Sequence, residues 1–132
     1  MTVRVLVVDD HDIVRLGLRG LAEAVGDWEI CGEAADGRTA IVKAFDLQPD
    51  VIIMDLTMPG MNGFETAMEM RSVTPNSKII LFSVHNLPLP ARNVGADAFV
   101  SKASGIRELV ATVERLLPRE REAETAAAVP LS

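Results

Sequence analysis

At 132 residues the chain is sized for one domain, with one ordinary core burying about two-thirds of the surface its unfolded form exposes. Hydrophobic residues make up 48% but fall in many short runs, none approaching the roughly 20 consecutive apolar residues that cross a bilayer, which excludes a membrane-spanning helix. A formal net charge of −6 argues against a phosphate backbone as partner, because nucleic-acid affinity depends on neutralising phosphates with Lys and Arg.

The chain opens on "VRVLVV" (3–8), an apolar run of strand length, and then shows helical spacing at Ile13, Leu16, Gly17, Leu21 and Val25. A second strand, "WEICGEA" (28–34), is followed by a helix from Thr39 to Leu47, and a third, "VIIM" (51–54), by a helix from Phe64 to Val73. "KIILFSV" (78–84) and "AFVS" (98–101) complete five strands. Ile106, Leu109, Val110, Val113, Leu116 and Leu117 mark a closing amphipathic helix. Asp12 and Ser104 stand where helix N-caps belong, and "ADG" (35–37), "QPD" (48–50), "TPNS" (74–77) and "VGAD" (94–97) punctuate the elements. Strands apolar throughout imply a sheet covered on both faces. Their alternation with helices predicts parallel βαβ crossovers and a three-layer, doubly wound α/β fold. The start "MTVRVLVVDD" lacks the features of a signal peptide, so a cytoplasmic location is expected. Cys31 is the only cysteine, which rules out an internal disulfide and predicts a small packed side chain. Residues 118–132, "PREREAETAAAVPLS", offer no second apolar face and are read as a tail beyond a domain spanning 1–117, with no output domain.

In open parallel sheets the ligand crevice lies beyond the carboxyl ends of the strands. There the first strand runs into Asp9 and Asp10, the third into Asp55, the fourth into Ser83 and the fifth into Lys102. Asp is depleted in strands, and "VIIMDLTMPGMNGFE" (51–65) drives an apolar run straight into one before a Pro-Gly turn. Three carboxylates at close quarters repel one another unless a cation neutralises them. A hard divalent ion with oxygen ligands, such as magnesium, suits a site without clustered His or Cys. Lys102 and the Ser83 hydroxyl would then serve a phosphoryl group, one as a point charge and the other as a donor. Taken singly, each has a plainer reading: Asp10 or Asp12 as a helix cap, Lys102 as a solvated strand end. Their convergence at separate strand ends favours a phosphoryl-transfer site. Neither His11, read as an exposed first-turn residue, nor His85 is assigned as a metal ligand.

In order along residues 2–117, "VVDD", "PDVIIMDLTMPGMNGFE", "LFS" and "GADAFVSK" resemble the receiver domain of bacterial two-component response regulators. The wording of "VDDHDIVRLGLRGLAE" and "ICGEAADGRTAI" is most similar to receivers usually fused to a helix-turn-helix output domain. The resemblance implies a flavodoxin-like strand order 2-1-3-4-5 and makes Asp55 the phosphoacceptor, supplied by a sensor histidine kinase or phosphotransfer protein. It gives Mg2+ to Asp9, Asp10, Asp55 and the backbone carbonyl of Thr57. It makes Lys102 the phosphoryl-binding lysine, Ser83 the hydroxyl switch residue and Phe99 the aromatic switch position. The bare residues leave Phe99 equally readable as a core aromatic of the fifth strand. Thr57 and His85 fall at family positions that tune dephosphorylation. Such a domain is not a turnover enzyme; it only takes up and loses its own phosphoryl group.

The stretch from Ser83 to Lys102 is about one helical turn shorter than the family usually has, and Pro88 and Pro90 hold the preceding residues out of the helical region. A shortened fourth helix is therefore expected, on the face that in the family docks partners or forms a homodimer. An interaction module that no longer uses phosphorylation is the alternative function. A magnesium-dependent phosphohydrolase, for which "DHDIV" (10–14) would supply the nucleophile, lacks the late acidic pair and the cap such enzymes carry.

Overall fold

A computed structural model of the protein describes residues 2–56, 58, 60, 63–84 and 95–117. Five parallel strands, β1 (Val3–Val8), β2 (Trp28–Ala34), β3 (Val51–Met54), β4 (Lys78–Ser83) and β5 (Ala98–Ser101), form one sheet in the order β2-β1-β3-β4-β5. Four α-helices, α1 (Asp12–Val25), α2 (Gly37–Leu47), α3 (Gly63–Val73) and α4 (Ile106–Leu116), lie among the described residues, with a 3-10 turn over Lys102–Ser104.

The strands are apolar on both faces because both are covered. Leu6, Val8, Ile52, Met54, Ile79 and Leu81 pack with Ala40 and Ala44 of α2 and with Ala67 and Met70 of α3. Their alternate neighbours Val5, Val7, Val51, Ile53 and Ile80 pack with Leu18 and Ala22 of α1 and with Leu109 and Val113 of α4. Side chains alternate across a strand, so each three-residue window supplies both cores, and period-two patterning vanishes from the sequence. The pairing of β1 with β2 slips between Val5 and Leu6, leaving Cys31 opposite no partner of its own. Cys31 is half-buried there, and burial pushes its thiol above its ordinary pKa.

All five strands fall where the apolar runs predicted, β4 ending one residue early at Ser83 with Val84 exposed. Helix faces and starts depart further. The buried stripe of α1 is Leu18 and Ala22, supported by Val14, Leu21 and Val25, whereas Ile13 and Leu16 of the expected stripe are exposed. Asp12 is not the N-cap of α1: His11 is, without a side-chain cap, and Asp12 instead pairs with Arg15. Ser104 is not the N-cap of α4 either. It closes the 3-10 turn, and Gly105, at a φ of 85°, starts the helix. An aspartate does cap α2, where Asp36 accepts from the backbone N–H of Thr39 at 2.8 Å. Gly63 opens α3 because nothing larger fits: a Cβ there would stand 2.6 Å from the Leu56 backbone, to which its own N–H donates. The expected shortened helix between β4 and β5 falls on residues 85–94, and the tail on 118–132; both lie outside the described residues.

Candidate functional site

The polar residues that interrupt the apolar strands meet at the carboxyl rim. β1 and β3 are neighbours, and the ladder continues one step past them: the Asp9 N–H donates to the Ala34 carbonyl at 3.0 Å, and the Asp55 N–H to the Val8 carbonyl at 2.8 Å. Sheet hydrogen bonding thus fixes both aspartates where the strands stop. Asp9 is 2% exposed and Asp55 4%, far more buried than an isolated carboxylate tolerates. Asp10 is partly exposed as a residue.

Charge partners gather around them. Lys102, one residue past β5, donates from Nζ to Asp9 Oδ2 at 2.9 Å and stands 3.9 Å from Asp55 Oδ1. Its ammonium lies 5.7 Å from the centre of the Phe82 ring, which walls it on the sheet side. Ser83, the last residue of β4, is fully buried, as its place at the rim between β3 and β5 requires. Phe99 is partly buried on β5 and packs against the core on the α2 and α3 face. Gly60, in the loop leaving Asp55, has a φ of 84°, the left-handed backbone for which a Pro-Gly turn selects glycine. Thr57 and His85 lie outside the described residues.

Two residues of the rim were given no part in the site by the sequence reading, although His11 is exposed at the start of α1 as expected. The backbone N–H of His11 donates to Asp9 Oδ1 at 2.9 Å, and its ring Nδ1 lies 3.0 Å from that oxygen and 3.2 Å from Asp10 Oδ1. Arg15, one turn into α1, hydrogen-bonds the Asp9 carbonyl and Asp12, and its Nε is 3.2 Å from Glu33 of β2. The signal for Arg15 was its position a turn and a half after the acidic pair, on the side of α1 that faces β2. His11 gave no periodicity signal, because an N-cap belongs to neither strand nor helix pattern.

One carboxyl oxygen of each of Asp9, Asp10 and Asp55, together with a ring nitrogen of His11, lie within 4.8 Å of one another. Asp10 Oδ1 is buried without a hydrogen-bond partner among the described residues. Three carboxylates crowded together, one with an oxygen shut off from solvent, are what a divalent cation satisfies, so the oxygens of the three aspartates fit magnesium. No described helix is long and apolar enough to cross a membrane.

Comparison with known proteins agrees with this geometry. The family model for the response regulator receiver domain matches residues 5–114. The response regulator GacA of Pseudomonas viridiflava is 34% identical over 122 residues, covering 90% of this chain and 57% of that protein. The chain therefore spans little more than half the length of the curated relatives it matches. A two-component response regulator of the LuxR family from Aurantimonas sp. SI85-9A1 superposes with a TM-score of 0.83 at 36% identity, covering 89% of this chain and 86% of that one. A DNA-binding response regulator of the LuxR family from Staphylococcus aureus gives 0.78 at 30% identity, over 86% and 97%.

Proposed function

This chain belongs to the response regulator receiver domain family, and from that premise we propose that Asp55 accepts a phosphoryl group from the phosphohistidine of a sensor histidine kinase or phosphotransfer protein. The observation that carries the reading is the junction of Asp9, Asp10, Asp55 and Lys102, drawn from three strand ends onto one rim.

A carboxylate needs no general base. An Asp55 oxygen forms a bond to phosphorus as the phosphorus–nitrogen bond breaks. The electron pair returns to the donor imidazole, and an acyl phosphate remains on Asp55. What the protein supplies is in-line position and charge. The ladder bond from the Asp55 N–H to Val8 holds the nucleophile in place. Asp9, Asp10, Asp55 and the Thr57 carbonyl would hold magnesium, which when bound neutralises charge on the phosphoryl oxygens. Lys102, now paired with Asp9, is near enough to Asp55 to transfer its ammonium to a phosphoryl oxygen. Ser83 donates its hydroxyl to the same group, and Phe99 follows it inward. A local change of charge thereby repacks the β4–β5 face that meets a downstream partner. The receiver unit is residues 1–117, and it acts in the cytoplasm without binding DNA itself.

Intact-protein mass spectrometry after incubation with acetyl phosphate tests the reading. We expect one phosphoryl adduct, dependent on Mg2+ and absent from Asp55→Asn. No adduct under any condition, together with failure to trap a beryllofluoride complex, would overturn it in favour of a phosphorylation-independent interaction module. Repeated turnover of phosphate esters that requires Asp10 would overturn it in favour of a hydrolase.

A further inference from the structure

Arg15 has more partners than an exposed helix face requires. Its guanidinium donates from Nη1 to the Asp9 carbonyl and from Nη2 to the Asp12 carboxylate, and its Nε stands 3.2 Å from Glu33 Oε1. One planar group thus spans the turn from β1 into α1 and ties it to β2. The plainer account is an i,i+3 ion pair of Asp12 with Arg15, of the surface kind that contributes little. That fits Asp12, whose side chain is 93% exposed, but not Arg15, whose side chain is 15% exposed and bonds a backbone carbonyl. Glu33 is held in its turn. Arg19 Nε stands 2.9 Å from its other carboxylate oxygen, and Lys43 of α2 donates to its backbone carbonyl. The next residue of β2, Ala34, accepts the N–H of Asp9 at 3.0 Å. Consecutive residues of β2 therefore fix both sides of Asp9, Ala34 directly and Glu33 through Arg15.

We propose that Arg15 is a positioning residue for the ion site: by holding the Asp9 carbonyl it fixes the peptide that joins Asp9 to Asp10, and with it the place from which the Asp10 carboxylate meets those of Asp9 and Asp55. The proposal rests on the reading of these three aspartates as magnesium ligands given above. The sheet ladder fixes Asp9 and Asp55 through their own N–H groups, and Arg15 carries that control one residue further. Magnesium demands near-octahedral geometry at short bonds, so a ligand on a loose peptide binds it less well than one held in place. An arginine suits the task, because its fork meets three acceptors in fixed geometry where a lysine offers a point charge. Position and charge predict opposite signs. A cation near three carboxylates repels a second cation, so by charge alone the loss of Arg15 tightens Mg2+ binding, whereas by position it weakens it.

The test is calorimetric titration of Mg2+ into the full chain and into Arg15→Ala, Arg15→Lys and Arg19→Ala, each well below its melting temperature. We expect Arg15→Ala to weaken Mg2+ binding about tenfold or more, and Arg15→Lys, which keeps the charge, to weaken it about threefold or more. Arg19→Ala removes an equal charge from the other side of Glu33 and should leave the affinity within about twofold of wild type. Glu33→Gln should weaken binding in the wild type yet add little in Arg15→Ala, because both act through one contact. Urea midpoints in EDTA record stability separately: a merely structural role lowers the midpoint and leaves the Mg2+ affinity as it was. Arg15→Lys at wild-type affinity would overturn the proposal, and it decides alone if Arg15→Ala does not fold. Tighter or unchanged binding in Arg15→Ala, or an equal loss in Arg19→Ala, would overturn it too. If the wild type binds Mg2+ and takes up a phosphoryl group in those cases, only the role of Arg15 falls. If the wild type binds no Mg2+, the metal reading of the aspartates falls and the role of Arg15 with it.

Discussion

Lys102 and Asp10 act on the rim in opposite senses. Lys102 is the cation paired with Asp9, a carboxylate that is 2% exposed, and removing it strands a buried charge. Asp10 adds negative charge beside Asp9 and Asp55, and its buried oxygen makes no hydrogen bond among the described residues, with only the His11 ring 3.2 Å away. In the metal-free protein, Lys102→Met should cost about 2 kcal/mol, because the ammonium is largely but not wholly withdrawn from water. Asp10→Asn should stabilise by about 1 kcal/mol while weakening divalent-ion binding, the sign expected where function holds like charges together. Urea unfolding in EDTA checks both through shifts of the midpoint in opposite directions. If Asp10→Asn destabilises, charge crowding is not stored at this rim. Asp55 was legible in the sequence because an aspartate at the end of an apolar strand violates strand preference and needs a reason. His11 was not, because its role depends on where α1 begins, and the start of α1 is set by backbone bonds to Asp9 rather than by any pattern of its own.

Among the elements, the strands were readable because five apolar runs of four to seven residues, bounded by turn residues, leave little else to form. Helices existed where periodicity placed them, but caps and faces were less legible. Asp12 and Ser104 have the chemistry of caps. At both helices the chain enters by another route: through His11, held by the Asp9 carboxylate, and through Gly105, which follows a 3-10 turn. Apolar residues such as Ile13 and Leu16 satisfy helical spacing as well as the buried set does, so composition alone does not choose the face of α1. Asp36 is the cap that behaves as its type predicts. Thr39 donates to it first from the backbone and then from its hydroxyl, and this holds the Asp36 carboxyl below its ordinary pKa. A group whose folded pKa is depressed stabilises above its unfolded pKa, and that contribution fades as pH falls through the folded value. Asp36→Ala should therefore lower the melting temperature by a few degrees at neutral pH. The gap should narrow on the acid side of the carboxylate range. Thermal scans of both proteins across that range check it, and a gap that stays constant with pH would mean the lost contact is not the ionised cap.

For the molecule as a whole, the rim joins parts of the chain that meet only when the sheet forms. Asp9 and Asp10 follow β1 and Asp55 follows β3, with all of β2 and α2 between them in sequence, and Lys102 arrives from beyond β5. The unfolded chain holds no such cluster, so a cation bound by these carboxylates binds the native state alone and stabilises it by mass action. At an ion concentration about 100 times Kd the gain is about 2.7 kcal/mol, which for a domain of this size raises the melting temperature by about 10 °C. Two other sources of stabilisation must be told apart from it. Added salt also screens a chain of net charge −6, but screening acts on all its carboxylates and does not require these three. Loss of a buried charge alone would stabilise the protein without any ion, as Asp10→Asn is expected to do. The outcome specific to the rim is a shift that grows with the logarithm of Mg2+ concentration, exceeds that from KCl at equal ionic strength, and collapses in Asp55→Asn and Asp10→Asn. Calorimetric scans at several Mg2+ concentrations measure it. A shift that KCl reproduces, or that survives both substitutions, would place the stabilisation in the overall charge of the protein and remove the rim as the site of ion binding.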